Sequence, residues 1–175
     1  AWASAGYVVV APDYPLSARS APGGPILTDV KNQPADATFV ITQVLDRNHA
    51  LLNGAIDPTR IGAAGHSLGG FTTFGLVAAK CCSDSRIKAA ITMAGGVGIV
   101  GGSFGVEPAK NFFLRAHAPL LILHGDHDEL IPYRLGVEAY AAAKAPKLFV
   151  TFRNAKHQNL YVGAGDPFAS APAVT

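Results

Sequence analysis

Three residues of different types, far apart in the chain, have the makings of an acyl-transfer centre. Ser67 stands in Gly65-His-Ser-Leu-Gly69, a G-x-S-x-G pentapeptide in which a serine occupies a sharp strand-to-helix turn. A serine hydroxyl is a weak nucleophile until a base takes its proton, so the pattern demands a histidine, and the histidine needs a carboxylate to fix its tautomer. Six histidines are available, at positions 49, 66, 117, 124, 127 and 157. His157 is the only one beyond the last candidate strand, in the polar stretch Arg153-Asn-Ala-Lys-His-Gln-Asn159. It thereby satisfies the chain order nucleophile, acid, base that accompanies a G-x-S-x-G turn.

The carboxylate is sought between them, in Leu123-His-Gly-Asp-His-Asp-Glu129. Asp126, Asp128 and Glu129 all follow a candidate strand on the side where Ser67 emerges. Asp126 suits a turn directly after Gly125, whereas Asp128, followed by Leu130-Ile-Pro132, sits deeper in the loop and is favoured. The backbone N–H of Leu68, at a helix N-terminus, is placed to donate to an oxyanion. The plain alternative for Ser67 is a helix N-cap, a position serine favours. His49, His66 and His117 read as structural, with His66 expected to point away from the nucleophile. His124 and His127 flank the acid and suit either a supporting or a turn role.

Those residues require a particular frame. Ala1-Trp-Ala-Ser-Ala5 resembles a helix tail stopped by Gly6, and the β-branched run Tyr7 to Ala11 predicts a strand ending at Pro12-Asp13. Residues Ser17 to Pro34 predict a loop, and Pro34 opens a helix with Ala37, Val40, Ile41, Val44 and Leu45 on one face, expected to dock on a sheet. Asp57 to Arg60 predicts a turn, Ile61 to Gly65 a strand, and Phe71 to Lys80 a helix. Further strands are predicted at Ile87 to Met93, Pro119 to His124 and Lys147 to Phe152, with a helix from Tyr133 to Lys144. Strands alternating with helices predict an α/β fold in one domain over residues 1–175, a mostly parallel sheet with helices on both faces.

Composition narrows the function. Of 175 residues 49% are hydrophobic and 15% charged, below the roughly 25% charged of ordinary soluble domains, so much of the chain expects burial. Net charge is +2, and no basic run is interleaved with aromatics, which argues against nucleic acid as a partner. No apolar run reaches the length of a membrane span. Cys81 and Cys82 are adjacent and are expected as free, partly buried thiols, because bridging neighbours closes a small ring. Neither the cysteine count nor the N-terminus, without a signal-peptide pattern or an initiator Met, places the protein in a compartment.

Three segments together, Gly6-Tyr-Val-Val-Val-Ala-Pro-Asp13, Arg60-Ile-Gly-Ala-Ala-Gly-His-Ser-Leu-Gly-Gly70 and His124-Gly-Asp-His-Asp-Glu-Leu-Ile-Pro132, resemble dienelactone hydrolase-like members of the α/β-hydrolase superfamily. The branch with platelet-activating-factor acetylhydrolases, chlorophyllases and cutinase-like polyester hydrolases is the most similar. The resemblance runs from Gly6 to about His157. It implies a serine esterase using Ser67, Asp128 and His157, with the last Asp of H-G-x-x-D as the acid, and requiring neither metal nor organic cofactor. Dienelactone hydrolases proper use a cysteine nucleophile, where this chain has Ser67. The implied substrate is a small-molecule, lipid-like or polymeric ester, and Tyr14, Met93, Phe104 and Tyr133 are the side chains that could line its cleft.

Complete members carry strands before the one at Tyr7, and a loop after an early strand supplies a second oxyanion donor. The resemblance therefore implies an N-terminally truncated fold, and weak or absent activity for these 175 residues alone. It also implies that the apolar edge at Tyr7 to Ala11 lacks a neighbour, inviting pairing with a second copy into a homodimer.

Overall fold

A computed structural model of the chain describes residues 2–97, 109–144 and 146–158. Four strands form one parallel sheet in sequence order: β1 (Ile61–His66), β2 (Ile87–Met93), β3 (Leu120–Gly125) and β4 (Lys147–Phe152). Between and before them run α1 (Gln33–Asp46), α2 (Asn48–Leu52), α3 (Leu68–Ala78), α4 (Ala109–Phe113) and α5 (Tyr133–Ala142). Parallel neighbours cannot be joined by hairpins, so each crossover carries a helical segment. All four strands consequently point their C-terminal ends the same way, and the loops leaving those ends gather along one edge, where open α/β sheets bind ligands.

The two faces of the sheet differ. Ala63, Ala90, Leu120, Ile122 and Phe149 point to one side and pack with Phe74, Val77, Phe113 and Ala139 from α3, α4 and α5 in one apolar cluster. Phe74, Phe113 and Ile122 are fully buried there, and burying a side chain of that size contributes roughly 1.5–3 kcal/mol. Of the two helix-covered faces expected from the sequence, this one is covered among the described residues. Among the described residues the opposite side, with Gly62, Ala64, Ala89, Ile91 and Leu148, stays exposed or half-buried.

α1 settles on α3 instead of lying flat on the sheet. Of its apolar face Ala37 is buried, while Val40, Ile41, Val44 and Leu45 are half-buried. Arg86, paired with Asp84 at 2.7 Å, reaches Thr42 Oγ1 and the Thr38 carbonyl and ties the start of β2 to α1. The loop before α1 is held through Gln33, whose Nε2 donates to Ser17 Oγ at 2.7 Å and whose Oε1 accepts from Thr72 Oγ1 of α3. A short 3₁₀ turn, Leu27–Lys31, places Val30 against Phe71, Ile131 and Leu135, so the N-terminal loop, the nucleophile helix and the acid loop share a small second core.

Two expectations are corrected. Tyr7 to Ala11 forms no strand: Tyr7, Val8, Val9 and Val10 are 45–67% exposed. β-branched composition favours a pleated surface only where a neighbour supplies hydrogen bonds and packing, and β1, the edge strand on that side of the order, pairs with β2 alone. Among the described residues the edge strands of the sheet are therefore β1 and β4, and Tyr7 to Ala11 forms no edge. Secondly, Cys81 and Cys82 are joined to each other in a disulfide, in the turn after α3, with Cys81 exposed and Cys82 half-buried. The helix tail before Gly6 is a 3₁₀ turn, Ala3–Ala5, capped by Gly6 at φ 88°.

Candidate active site

Ser67 occupies the single residue between β1 and α3. Its φ of 55° and ψ of −118° lie where non-glycine residues are rare, and such a conformation costs on the order of 1–3 kcal/mol, held by the structure around it. The restraints are visible: Ser67 N–H donates to the Met93 carbonyl at 2.9 Å, and the Ser67 carbonyl accepts from Gly70 and Phe71. Gly65 is required by crowding, since a Cβ there would meet the Gly69 carbonyl. The serine side chain makes no capping bond to the helix it precedes, so the N-cap alternative fails, and its Oγ is free to face the loops beyond the sheet edge.

Those loops deliver the other two groups. His157 Nε2 lies 2.8 Å from Ser67 Oγ, and His157 Nδ1 lies 2.8 Å from Asp128 Oδ2. A carboxylate only accepts, so Nδ1 carries the proton and Nε2 presents its lone pair to the hydroxyl. The His157 side chain is 6% exposed and the Asp128 side chain fully buried. The carboxylate is matched on both oxygens: Oδ1 accepts from the N–H groups of Leu130 at 2.9 Å and Ile131 at 2.8 Å. Oδ2, besides His157, has His124 Nε2 at 3.3 Å. A buried anion is tolerated only when its lone pairs are satisfied in this way.

The acid and base loops are knit together. Gly125 lies so close to Ala155 that a Cβ would strike the Ala155 carbonyl, and His127 N–H donates to that carbonyl at 3.1 Å. Asp126, the rival acid, accepts from Asn154 N–H at 2.6 Å and from His127 Nδ1 at 2.7 Å, away from His157; the His127 bond first of all holds its carboxyl below the usual range. Glu129 pairs with Lys156 at 2.8 Å on the surface. The structure thus brings together Ser67, Asp128 and His157, and gives Asp126 and Glu129 the work of closing the two loops on each other.

Two histidines lie against this chain: His66, expected to be structural, and His124, expected more in a surface or turn role than in a supporting one. His124 is fully buried at the end of β3, donates from Nε2 to the Ile131 carbonyl at 3.0 Å, and packs edge-on to Tyr133. Burial pushes its imidazole below the ordinary histidine range. His66 does not point away: its Nε2 lies 3.0 Å from the His157 carbonyl, and the two rings are 4.7 Å apart. Burial likewise lowers His66. The missed signal was the alternation of the strand, which sends Gly65 to the helix side and His66 to the side where the base loop crosses. His117 bonds the Asp84 carbonyl, and His49 packs on Gly54 from α2, both remote structural positions.

Leu68 N–H, at the first position of α3, has no hydrogen-bond partner among the described residues and adjoins Ser67 Oγ. Met93 is half-buried and touches the elbow through its carbonyl. Tyr14 is half-buried in the N-terminal loop, its phenol pushed up to about 12 by burial and then by Asp36. Tyr133 bonds Thr151 Oγ1 at 2.6 Å, and Phe104 lies outside the described residues. No group of three or more metal-ligating side chains occurs among the described residues, and no described helix is long and apolar enough to cross a membrane.

The sequence pattern of the dienelactone hydrolase family matches residues 1–165. The chain belongs to the dienelactone hydrolase family. Membership of this α/β-hydrolase family accounts for the strand order, the elbow and the edge at which the loops converge. Uncharacterized proteins from two strains of Mycobacterium tuberculosis are each 27% identical over 114 residues, covering 59% of this chain and 40% of their own length. The matched stretch thus spans less than half of these relatives. Among solved structures, a puromycin-hydrolyzing peptidase of M. tuberculosis aligns with a TM-score of 0.54 at 22% identity, over 71% of this chain and 22% of its own, and shares the fold. The esterase domain of a Rhodothermus marinus protein aligns with a TM-score of 0.44 at 22% identity, over 54% of this chain and 49% of that one.

Proposed function

We propose that this member of the family is a serine hydrolase of carboxylic esters, with Ser67 as nucleophile, His157 as general base and Asp128 as the group that orients it. The observation that carries the reading is the continuous hydrogen-bonded series Ser67 Oγ, His157 Nε2, His157 Nδ1, Asp128 Oδ2, at 2.8 Å in both links. Ser67 Oγ attacks the ester carbonyl as its proton passes to His157 Nε2, and Asp128 stabilises the imidazolium. The oxyanion of the tetrahedral intermediate accepts from Leu68 N–H, whose helix N-terminus favours negative charge. Collapse expels the alcohol, which takes the proton from His157 and leaves an acyl-serine. Water, deprotonated by His157, then attacks the acyl carbon; the acid departs and Ser67 regains its proton.

A binding module built on the same fold is the competing reading. It has no need of a base, an acid and a strained serine in register, and the positive φ at Ser67 would be a cost without a return. Hydrolysis of p-nitrophenyl acetate and butyrate by the chain and by Ser67→Ala separates the two. Ser67-dependent release of p-nitrophenol is expected, and turnover equal in both proteins would refute the assignment.

A further inference from the structure

We infer that His66 is a positioning residue for the general base, clamping the loop that carries His157 to the nucleophile elbow. The inference rests on His157 acting as base in the reading above, and goes beyond it by giving a function to the second position of the G-x-S-x-G turn.

The geometry is specific. His66 ends β1 immediately before Ser67, on the sheet face opposite α3, and its ring lies 4.7 Å from that of His157 at 39°. A main-chain carbonyl only accepts, so the 3.0 Å contact to the His157 oxygen makes His66 Nε2 the donor. The hydrogen bond joins two residues 91 positions apart, and it grips His157 by its own backbone. Apart from the bonds of the His157 ring itself to Ser67 and Asp128, the other described ties of this loop, through Asn154, Ala155 and Lys156, run to the acid loop. They fix the base relative to Asp128 and say nothing about Ser67. His66 adds the missing side of the triangle, because it moves with the elbow. A displacement of His157 Nε2 by about 1 Å from the serine is enough to cost on the order of a hundredfold in rate.

His66 also suits the charge that develops. In the reaction His157 becomes an imidazolium, with the His66 ring against it. Burial first, and the charge of His157 after the opposing carbonyl bond, hold His66 below the ordinary histidine range, so above that range it meets the imidazolium as a neutral ring.

The test compares donor-lacking and donor-retaining replacements on the full chain: His66→Phe and His66→Leu remove the N–H, and His66→Gln restores one at similar reach. kcat and KM for p-nitrophenyl acetate, the rate of fluorophosphonate labelling of Ser67 and thermal midpoint are measured for all, with Ser67→Ala alongside. The clamp predicts that kcat and labelling fall about tenfold in the Phe and Leu variants at unchanged KM, and return to within about threefold of wild type in the Gln variant. Loss in all three variants in parallel with thermal midpoint would make His66 merely structural and overturn the inference, as would full kcat in folded Leu or Phe variants. If Ser67→Ala retains turnover, the ester-hydrolase reading itself falls and the inference with it; if only the His66 series fails, that reading stands.

Discussion

The two faces of the sheet support the same three residues in different ways. On the helix-covered face everything near the site is buried and packed: His124 is fully enclosed, bonds Ile131 and approaches Asp128. On the opposite face His66 is half-buried and bonds the backbone of His157. The acid is therefore held among buried groups, whereas the base loop is tied to the acid loop and, through His66, across a face that is open among the described residues. Hydrogen bonds made in a low-dielectric interior are stronger and costlier to break than those near water, so the acid side is built for rigidity.

The largest test of that contrast is at the shared centre. Ser67→Ala should bring kcat down to the uncatalysed background in steady-state assays, and Asp128→Asn should lower it by about 10³–10⁴-fold or to that same background, since the amide selects the wrong histidine tautomer. A comparable activity in Asp128→Asn and wild type would mean that the buried acid shell does not serve the base.

Next come substitutions that distinguish the faces by stability. Ile122→Ala, on the covered face and fully buried, should cost about 2–5 kcal/mol in urea unfolding. Leu148→Ala, 51% exposed on the other, should stay within about 0.5 kcal/mol. Equal losses would show that the second face is covered in solution. Gly125→Ala, which drives a methyl into the Ala155 carbonyl, should cost about 1–3 kcal/mol and loosen the acid and base loops together.

The smallest effect expected is on pH. His124 and His66 are both depressed by burial, so as pH falls below the unfolded histidine pKa of 6.5 the unfolded chain takes up protons that the folded one refuses. Stability should be full above that value and decline as pH falls through the folded pKa values. Thermal midpoints between pH 7.5 and 5 check this, and His66→Gln should flatten the decline.

Much of this was legible because chemistry and punctuation coincide. The elbow, the acid loop and His157 are each marked by a strand end and a short polar motif, and the four strands from Ile61 onward were placed within a residue or so. Tyr7 to Ala11 was misread because composition reports what a pleated surface would favour, not whether a partner strand is present. The latch proposed at His66 was half legible: strand alternation gives the face on which His66 lies, but not that the base loop crosses that face, which is a tertiary fact. The joined Cys81 and Cys82 escaped because general geometry disfavours a bridge between sequence neighbours.

The most direct measurement is mass-spectrometric mapping of a fluorophosphonate adduct on the folded chain and on His157→Ala. The account predicts an adduct on the Ser67 peptide of the wild type that disappears in the variant. An unmodified Ser67 in folded wild type, or an adduct formed equally well without His157, would contradict it.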